Sequence, residues 1–291
     1  MLRCVKFGIS FLNLHPKGFA ALTEAAEQLG FESVWMSDHL VFPVDLGSTP
    51  YPGAEADSPG EVVRKTPSMW DRPLFDTTAF LCYLAGRTTT IRFGTYVYVL
   101  GIRHPFVAAR AFQTLDYVSD GRAEMGIGAG WMSTEFEAAD VDFRTRGRRL
   151  DECIDVCRKL WTQPQVAHSG EFFRFDAVGF EPKPSPSLRI HVGGESPAAL
   201  RRVAARGDGW IAMENTLESM KGKLAALDEQ LAAAGRTRDE LEISVVAAVR
   251  TRDDVARWAD LSVDRLIMSP WTRSSTAIDE LRAFAPTIGL G

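Results

Sequence analysis

Cysteine is scarce in this chain, four among 291 residues, so no disulfide framework holds it together. Cys153 and Cys157 stand four apart in a helical stretch with only His168 close by. That is too few ligands for a zinc site, and the pair reads as buried, reduced, structural thiols. No apolar run approaches the roughly 18 residues of a membrane helix. Neither sign of charge dominates: 33 basic and 38 acidic residues leave −5, which argues against a basic face for nucleic acid. Disorder is excluded by an apolar fraction of 45%. The start, Met1 to Phe7, enters a strand pattern without the apolar core of a signal peptide, so the expected location is the cytoplasm.

What is present is an alternation of β-branched runs and amphipathic stretches. Strands are expected at Val5–Phe11, Ser33–Ser37, Ile91–Val99, Ala123–Ile127, Arg189–Val192, Gly209–Ala212, Glu242–Val249 and Asp264–Met268. Helices are expected at Pro16–Leu29, Asp76–Arg87, Pro105–Ser119, Arg148–Trp161, Pro197–Arg206, Leu217–Ala234, Asp253–Ala259 and Thr276–Ala285. Several open on proline, as the first helical turn allows. Eight strand-then-helix units predict an α/β fold with a parallel sheet, and eight is the number that closes a (β/α)8 TIM barrel. The whole chain, 1–291, reads as one such domain. Two insertions, after strands 2 and 4, interrupt the rhythm. The first, Leu40–Phe75, is broken by six prolines and has the length of a lid; the second, Trp131–Pro186, holds an extra helix and a hairpin at Val166–Phe175.

In such a barrel, chemistry belongs to the carboxyl ends of the strands. Asp38 and His39 follow strand two. His39 is the natural general acid or base near neutral pH, and Asp38 is its titratable neighbour. After strand five, Gly193, Gly194, Glu195, Ser196 and Pro197 combine a flexible backbone, a helix cap and a proline at the first helical position. This loop is either an anion site or a tight capped turn. The run Gly126–Trp131 partly matches a dinucleotide fingerprint but has Trp131 where the third glycine belongs, and its glycines are read as keeping the barrel mouth open for a planar ring. His104 and His15 look like helix caps, and His191 like a satisfied core residue. Arg144, Arg146, Arg148 and Arg149, with Arg201, Arg202 and Arg206, either hold an anionic ligand tail or form solvated helix faces. A metal-dependent hydrolase would need more ligands at the strand ends than Asp38 and His39 provide, so no metal is expected.

These residues, taken together, resemble the bacterial luciferase-like flavin monooxygenase superfamily. The likeness lies in Ser37–Leu40, Ile91–Thr95 leading to Arg103–Pro105, Leu115–Arg122, Gly126–Trp131 with Glu135 and Phe136, Val192–Pro197, and Gly207–Trp210. It is closest to the branch that uses coenzyme F420, a 5-deazaflavin, in place of FMN. The resemblance implies the barrel, a deazaflavin across the strand ends and a non-prolyl cis peptide at Tyr96–Val97 that pushes on the ring. It places Asp38 and His39 by the reacting centre, Gly128, Gly130 and Trp131 in the cofactor site, and Gly193, Gly194, Glu195 and Ser196 at the phosphate-bearing side. Relatives are commonly homodimers. In the sugar-phosphate dehydrogenases of the superfamily an acidic residue follows the glycine run. Trp131 at that place, with Trp35, Trp70 and Trp271, points instead to an aromatic-lined cavity for a hydrophobic small molecule. The expected activity is hydride transfer between coenzyme F420 and such a substrate. The rivals are an FMN-dependent monooxygenase and a catalytically silent cofactor-binding barrel.

Overall fold

The computed structural model describes residues 5–44 and 71–291. Cys4, Trp70 and most of the expected lid, residues 45–70, lie outside the described residues. Eight parallel strands close on themselves, as expected. In chain order they are β1 (Lys6–Ser10), β2 (Ser33–Met36), β3 (Arg92–Thr95) with its continuation β4 (Tyr98–Val99), β5 (Ala123–Gly128), β8 (Arg189–Gly193), β9 (Gly209–Glu214), β10 (Glu242–Val246) and β11 (Arg265–Met268). Pairing runs β3-β2-β1-β11-β10-β9-β8-β5, and β3 against β5 shuts the ring. The expected third strand is therefore two pieces: regular pairing stops at Thr95 and resumes at Tyr98, opposite Ile127. The hairpin β6 (Gln165–Ser169) and β7 (Arg174–Gly179) stands apart as its own antiparallel pair.

The helices are α1 (Phe19–Gln28), α2 (Thr77–Ala85), α3 (Pro105–Val118), α4 (Ser133–Ala138), α5 (Arg146–Thr162), α6 (Pro197–Arg206), α7 (Leu217–Ala233), α8 (Arg252–Asp260) and α9 (Ala277–Ile288). Most sit within two residues of the expected bounds, because proline and side-chain caps mark their starts. His104 accepts from Phe106 N–H ahead of Pro105, and Ser196 from Ala199 N–H ahead of Pro197. The helix expected to stop at Ala285 instead runs through Pro286 to Ile288 and ends on Gly289 in the left-handed region. Cys153 and Cys157 are free and buried on α5. Burial pushes the Cys153 thiol up to about 12, so it packs rather than reacts.

Charge fills the amino-terminal end of the barrel. Arg265, fully buried, donates Nε to Glu32 at 2.9 Å, Nη2 to the same carboxylate at 2.7 Å and Nη1 to Ser244, and it also contacts Glu242. Glu124 accepts from Arg92 Nε and meets His191 Nε2, each at 2.6 Å. Lys6 and Arg189 reach Glu242 from the rim. His191 is thus only half satisfied, since its buried Nδ1 has no partner. Above this layer lie Trp35, Ile211 and Ile267, with Tyr96, Val97 and Val246 packed on them. Trp35 stands edge-on to His191, and its ring faces the Arg265 guanidinium at 5.2 Å.

Burial disfavours ionisation of Glu124, but the hydrogen bond and charge of His191, with Arg265 and Arg92, outweigh it and hold the carboxyl at about 2. Glu242 is likewise held at about 2 against burial, chiefly by Arg265. Both lie below the ordinary carboxylate value of 4.5. Their stabilisation is therefore complete above that value and disappears as pH falls from about 4.5 towards 2. Glu124→Gln is expected to lower stability at neutral pH by about 3–5 kcal/mol, the cost of breaking a buried pair. It is also expected to flatten the acid limb between about pH 4.5 and 2 by up to about 1.4 kcal/mol per pH unit. Urea unfolding at stepped pH checks both effects.

Candidate active site at the barrel mouth

The end of β2 places Asp38 and His39 on opposite sides of the chain, and they do different work. Asp38 is sealed. Its side chain is out of solvent, and its oxygens accept from Arg103 Nη1 at 2.8 Å and Nη2 at 2.9 Å. They also accept from Val99 N–H at 2.9 Å and Thr77 Oγ1 at 3.1 Å. Burial pushes this carboxyl up, and the guanidinium, amide and hydroxyl pull against it. Four donors bind β2 to β4 and α2, and the Arg103 guanidinium carbon lies 4.2 Å from the centre of the Tyr98 ring.

His39 keeps an open edge, with a side chain 14% exposed. Its ring lies between Phe42, 4.8 Å away, and Trp131, met edge-on at 6.1 Å. The carboxylate that meets it is Glu135, not Asp38. Glu135 Oε2 is 3.0 Å from His39 Nδ1, and Oε1 accepts Leu40 N–H at 2.6 Å. Glu135 belongs to the first turn of α4 and is itself buried. Sequence reading did not single it out as a site residue. The signal was its position four residues after Trp131, where a short helix could turn a carboxylate back onto the strand-two loop.

Tyr96 and Val97, between β3 and β4, are joined by the expected non-prolyl cis peptide. Tyr96 Oη reaches Met213 Sδ at 3.6 Å. Val97 sits between two glycines: a Cβ on Gly128 would lie 2.5 Å from its Cγ2, and one on Gly193 2.7 Å from its Cγ1. A Cβ on Gly126 would fall on the Thr95 carbonyl, and one on Gly130 would strike the Phe136 ring at 2.5 Å. This corrects the reason for the glycine run. These residues are small first because the protein's own backbone and side chains crowd them.

The loop after β8 is pre-shaped for α6. Gly194 has φ +106, its N–H donates to Ile211 O, and its carbonyl accepts Trp210 Nε1. Ser196 caps, Pro197 follows, and the first turn of α6 carries no acid. Glu195 turns inward: its carboxylate takes Met213 N–H, Asn215 Nδ2 and Lys223 Nζ, which pins the loop to β9 and α7. The basic cluster is also largely spent. Arg202 pairs with Asp151 and Arg206 with Asp155, lacing α6 to α5; Arg148 pairs with Glu171, and Arg149 holds Gly101 O. That settles the arginines as mainly structural.

A flat ring with a phosphate-bearing tail fits these residues. Tyr96, Val97 and Val246 form an apolar floor, and the capped start of α6 offers N–H groups at a positive helix end. Thr134 Oγ1 and Trp271 Nε1, on segments that follow β5 and β11, are buried without a partner, as donors awaiting a ligand would be. Asp38, by contrast, holds the scaffold. Asp38→Ala is expected to cost about 3–5 kcal/mol by stranding Arg103 and the Val99 amide. The loss should be read in the unfolding free energy of cofactor-free protein, before any assay of turnover.

Comparison with known proteins agrees with this geometry. The family model described as luciferase-like monooxygenase matches residues 6–285. An uncharacterised protein of Mycobacterium tuberculosis is 30% identical over 280 residues, covering 93% of this chain and 94% of that one. An F420-dependent glucose-6-phosphate dehydrogenase of Nakamurella multipartita is 30% identical over 260 residues, covering 85% of this chain and 70% of that enzyme. Among solved structures, an F420-dependent secondary alcohol dehydrogenase in complex with an F420-acetone adduct superposes with a TM-score of 0.77 at 15% identity, over 98% of this chain and 99% of that one. With the barrel, the broken third strand and its cis peptide already in place, the chain belongs to the luciferase-like monooxygenase family.

Proposed function

We propose that this chain is an oxidoreductase that moves a hydride between coenzyme F420 and a small hydrophobic substrate. The observation that carries the reading is His39, backed by a buried carboxylate and open on one edge, at an apolar barrel mouth beside the start of α6. Relatives and structural neighbours named for F420 support the choice of cofactor. Val97, Tyr96, Gly128, Gly130 and Trp131 would face the ring, and Gly193, Gly194 and Ser196 the phosphate. Glu195 would act by fixing that loop, and Asp38 by holding the strand ends under the ring. A bound deazaflavin supplies a carbon that accepts or gives a hydride and reacts poorly with oxygen. His39 gives or takes the accompanying proton, and the Phe42 and Trp131 rings shield it from water.

A phosphorylated sugar suits this mouth poorly. Arg103 and Lys223, two cations next to these loops, are already held by Asp38 and by Glu195 with Asn215. The second reading is an FMN-dependent monooxygenase, favoured by the family model's own description. We further propose a homodimer with small-molecule ligands only, and residence in the cytoplasm. Tyr83 on α2 and Val107, Tyr117 and Val118 on α3 are apolar and exposed, Tyr117 by 71%, on helices packed side by side. Among the described residues no helix is long and apolar enough to cross a membrane.

Quenching of tryptophan fluorescence by coenzyme F420 and, separately, by FMN tests the cofactor. Micromolar or tighter binding of F420 with weak FMN binding is expected, and the reverse order would move the function to oxygen chemistry. His39→Ala should leave F420 affinity within about twofold while turnover falls by about 10²–10⁴. Light scattering is expected to give twice the chain mass, shifting towards one with Val107→Glu and Tyr117→Glu together.

A further inference from the structure

We propose that Glu135 is a positioning residue for His39: it fixes the imidazole as the Nδ1–H tautomer and so leaves Nε2 as the bare, proton-accepting edge. The proposal rests on the reading of His39 as the proton partner in hydride transfer, and it names the group that makes His39 competent for that task.

The argument begins with burial. Glu135 is 1% exposed, and a carboxylate in that position must be met by donors. Two of them come from consecutive residues of the strand-two loop. Leu40 N–H can only donate, so Oε1 is an acceptor in that bond. An ionised carboxylate offers acceptors only. Oε2 of the same carboxylate, 3.0 Å from His39 Nδ1, then also accepts, and the proton of a neutral imidazole sits on Nδ1. Nε2 lies across the ring from that bond. The Leu40 contact adds a second constraint, because it ties the carboxylate to the backbone next to His39. The ring, between Phe42 and Trp131, is therefore fixed in plane, tilt and tautomer by one side chain.

Among the described residues, the other carboxylate in this corner, Asp38, is not available for the role. Asp38 is adjacent in sequence, but its two oxygens are taken by Arg103, Val99 and Thr77. With an alcohol as substrate, Nε2 would take the hydroxyl proton as the hydride on the same carbon goes to the bound deazaflavin, so that the alcohol would become a carbonyl and the two electrons would be held by the deazaflavin. The imidazolium so formed keeps its Nδ1–H on an anion. In the reverse direction the same Nε2–H returns the proton.

The test inverts the tautomer without changing the shape. In Glu135→Gln the amide oxygen can still accept Leu40 N–H, which turns the amide NH2 towards Nδ1 and forces the proton of neutral His39 onto Nε2. Nitrogen-15 NMR of histidine-labelled, cofactor-free protein reads this directly, with the His39 signals assigned by their loss in His39→Ala. The expected result is an Nδ1–H ring in the native protein and an Nε2–H ring in Glu135→Gln. The variant's turnover with F420 should be lower by about 10²–10⁴ in kcat, KM and F420 affinity should be nearly unchanged, and Glu135→Asp should partly recover turnover. Glu135→Asp, which keeps the charge, also guards against a Gln variant that fails to fold. An Nε2–H ring in the native protein, or a Gln variant that turns over normally, would overturn the proposal. A tautomer that switches as stated in a protein that does not bind F420 supports the His39–Glu135 arrangement while removing the F420 reading, so the two failures are separable.

Discussion

A guanidinium without access to water has to be neutralised where it sits, and Arg265 imposes that requirement on the floor of the barrel. Glu32, Glu124 and Glu242 converge on it from three other segments of the ring, and Lys6, Arg92 and His191 complete the balance. Because removing one partner leaves a buried charge unpaired, the layer holds only when all of these strands are in register. Trp35 rests on it, and the glycines beside Trp35 follow: a side chain on Gly8 or Gly94 would collide with the indole. The apolar layer under the mouth is built on that indole. The height and flatness of the site are thus set from the opposite end of the barrel.

The mouth repeats this logic with a division of labour between two carboxylates. Asp38 and Glu135 are both buried and both hydrogen-bonded to backbone amides. Asp38 meets a permanent cation, so it locks strands together. Glu135 meets an imidazole, whose charge can change, so it is coupled to whatever protons the site handles. What separates the two roles is the identity of the partner, Arg103 in one case and His39 in the other.

The architecture was legible because it rests on period and punctuation. Eight β-then-α units and prolines at helix starts predict the ring and most boundaries. The motif likeness supplied the Tyr96–Val97 cis peptide. The failures share a cause as well: each concerned a partner distant in sequence. Arg202 and Arg206 look like a basic patch until Asp151 and Asp155, about fifty residues earlier, arrive at the same spacing on the neighbouring helix. Glu195 looks like a ligand contact until Lys223 and Asn215 claim it. Glu135 lies 96 positions from His39, and only its place four residues after Trp131 hints at the bond. Pro286 inside α9 is the one local surprise, and it stands two residues before the last helical residue, Ile288, so little helix remains beyond any kink it imposes.

The same accounting limits what the mouth can recognise. Cations at its edge, Arg103 and Lys223, are committed to carboxylates that hold loops in place, and the arginines of α5 and α6 are mostly committed to lacing those helices. Among the described residues, those at the mouth are largely apolar or aromatic, with His39 as a titratable edge. Freeing a cation to hold an anionic substrate would mean unpinning the β8–α6 loop or the β2–β4 contact on which the site's shape depends. On the function proposed above, a site of this construction would select neutral, apolar molecules through fit and desolvation, because its charge is spent on its own geometry.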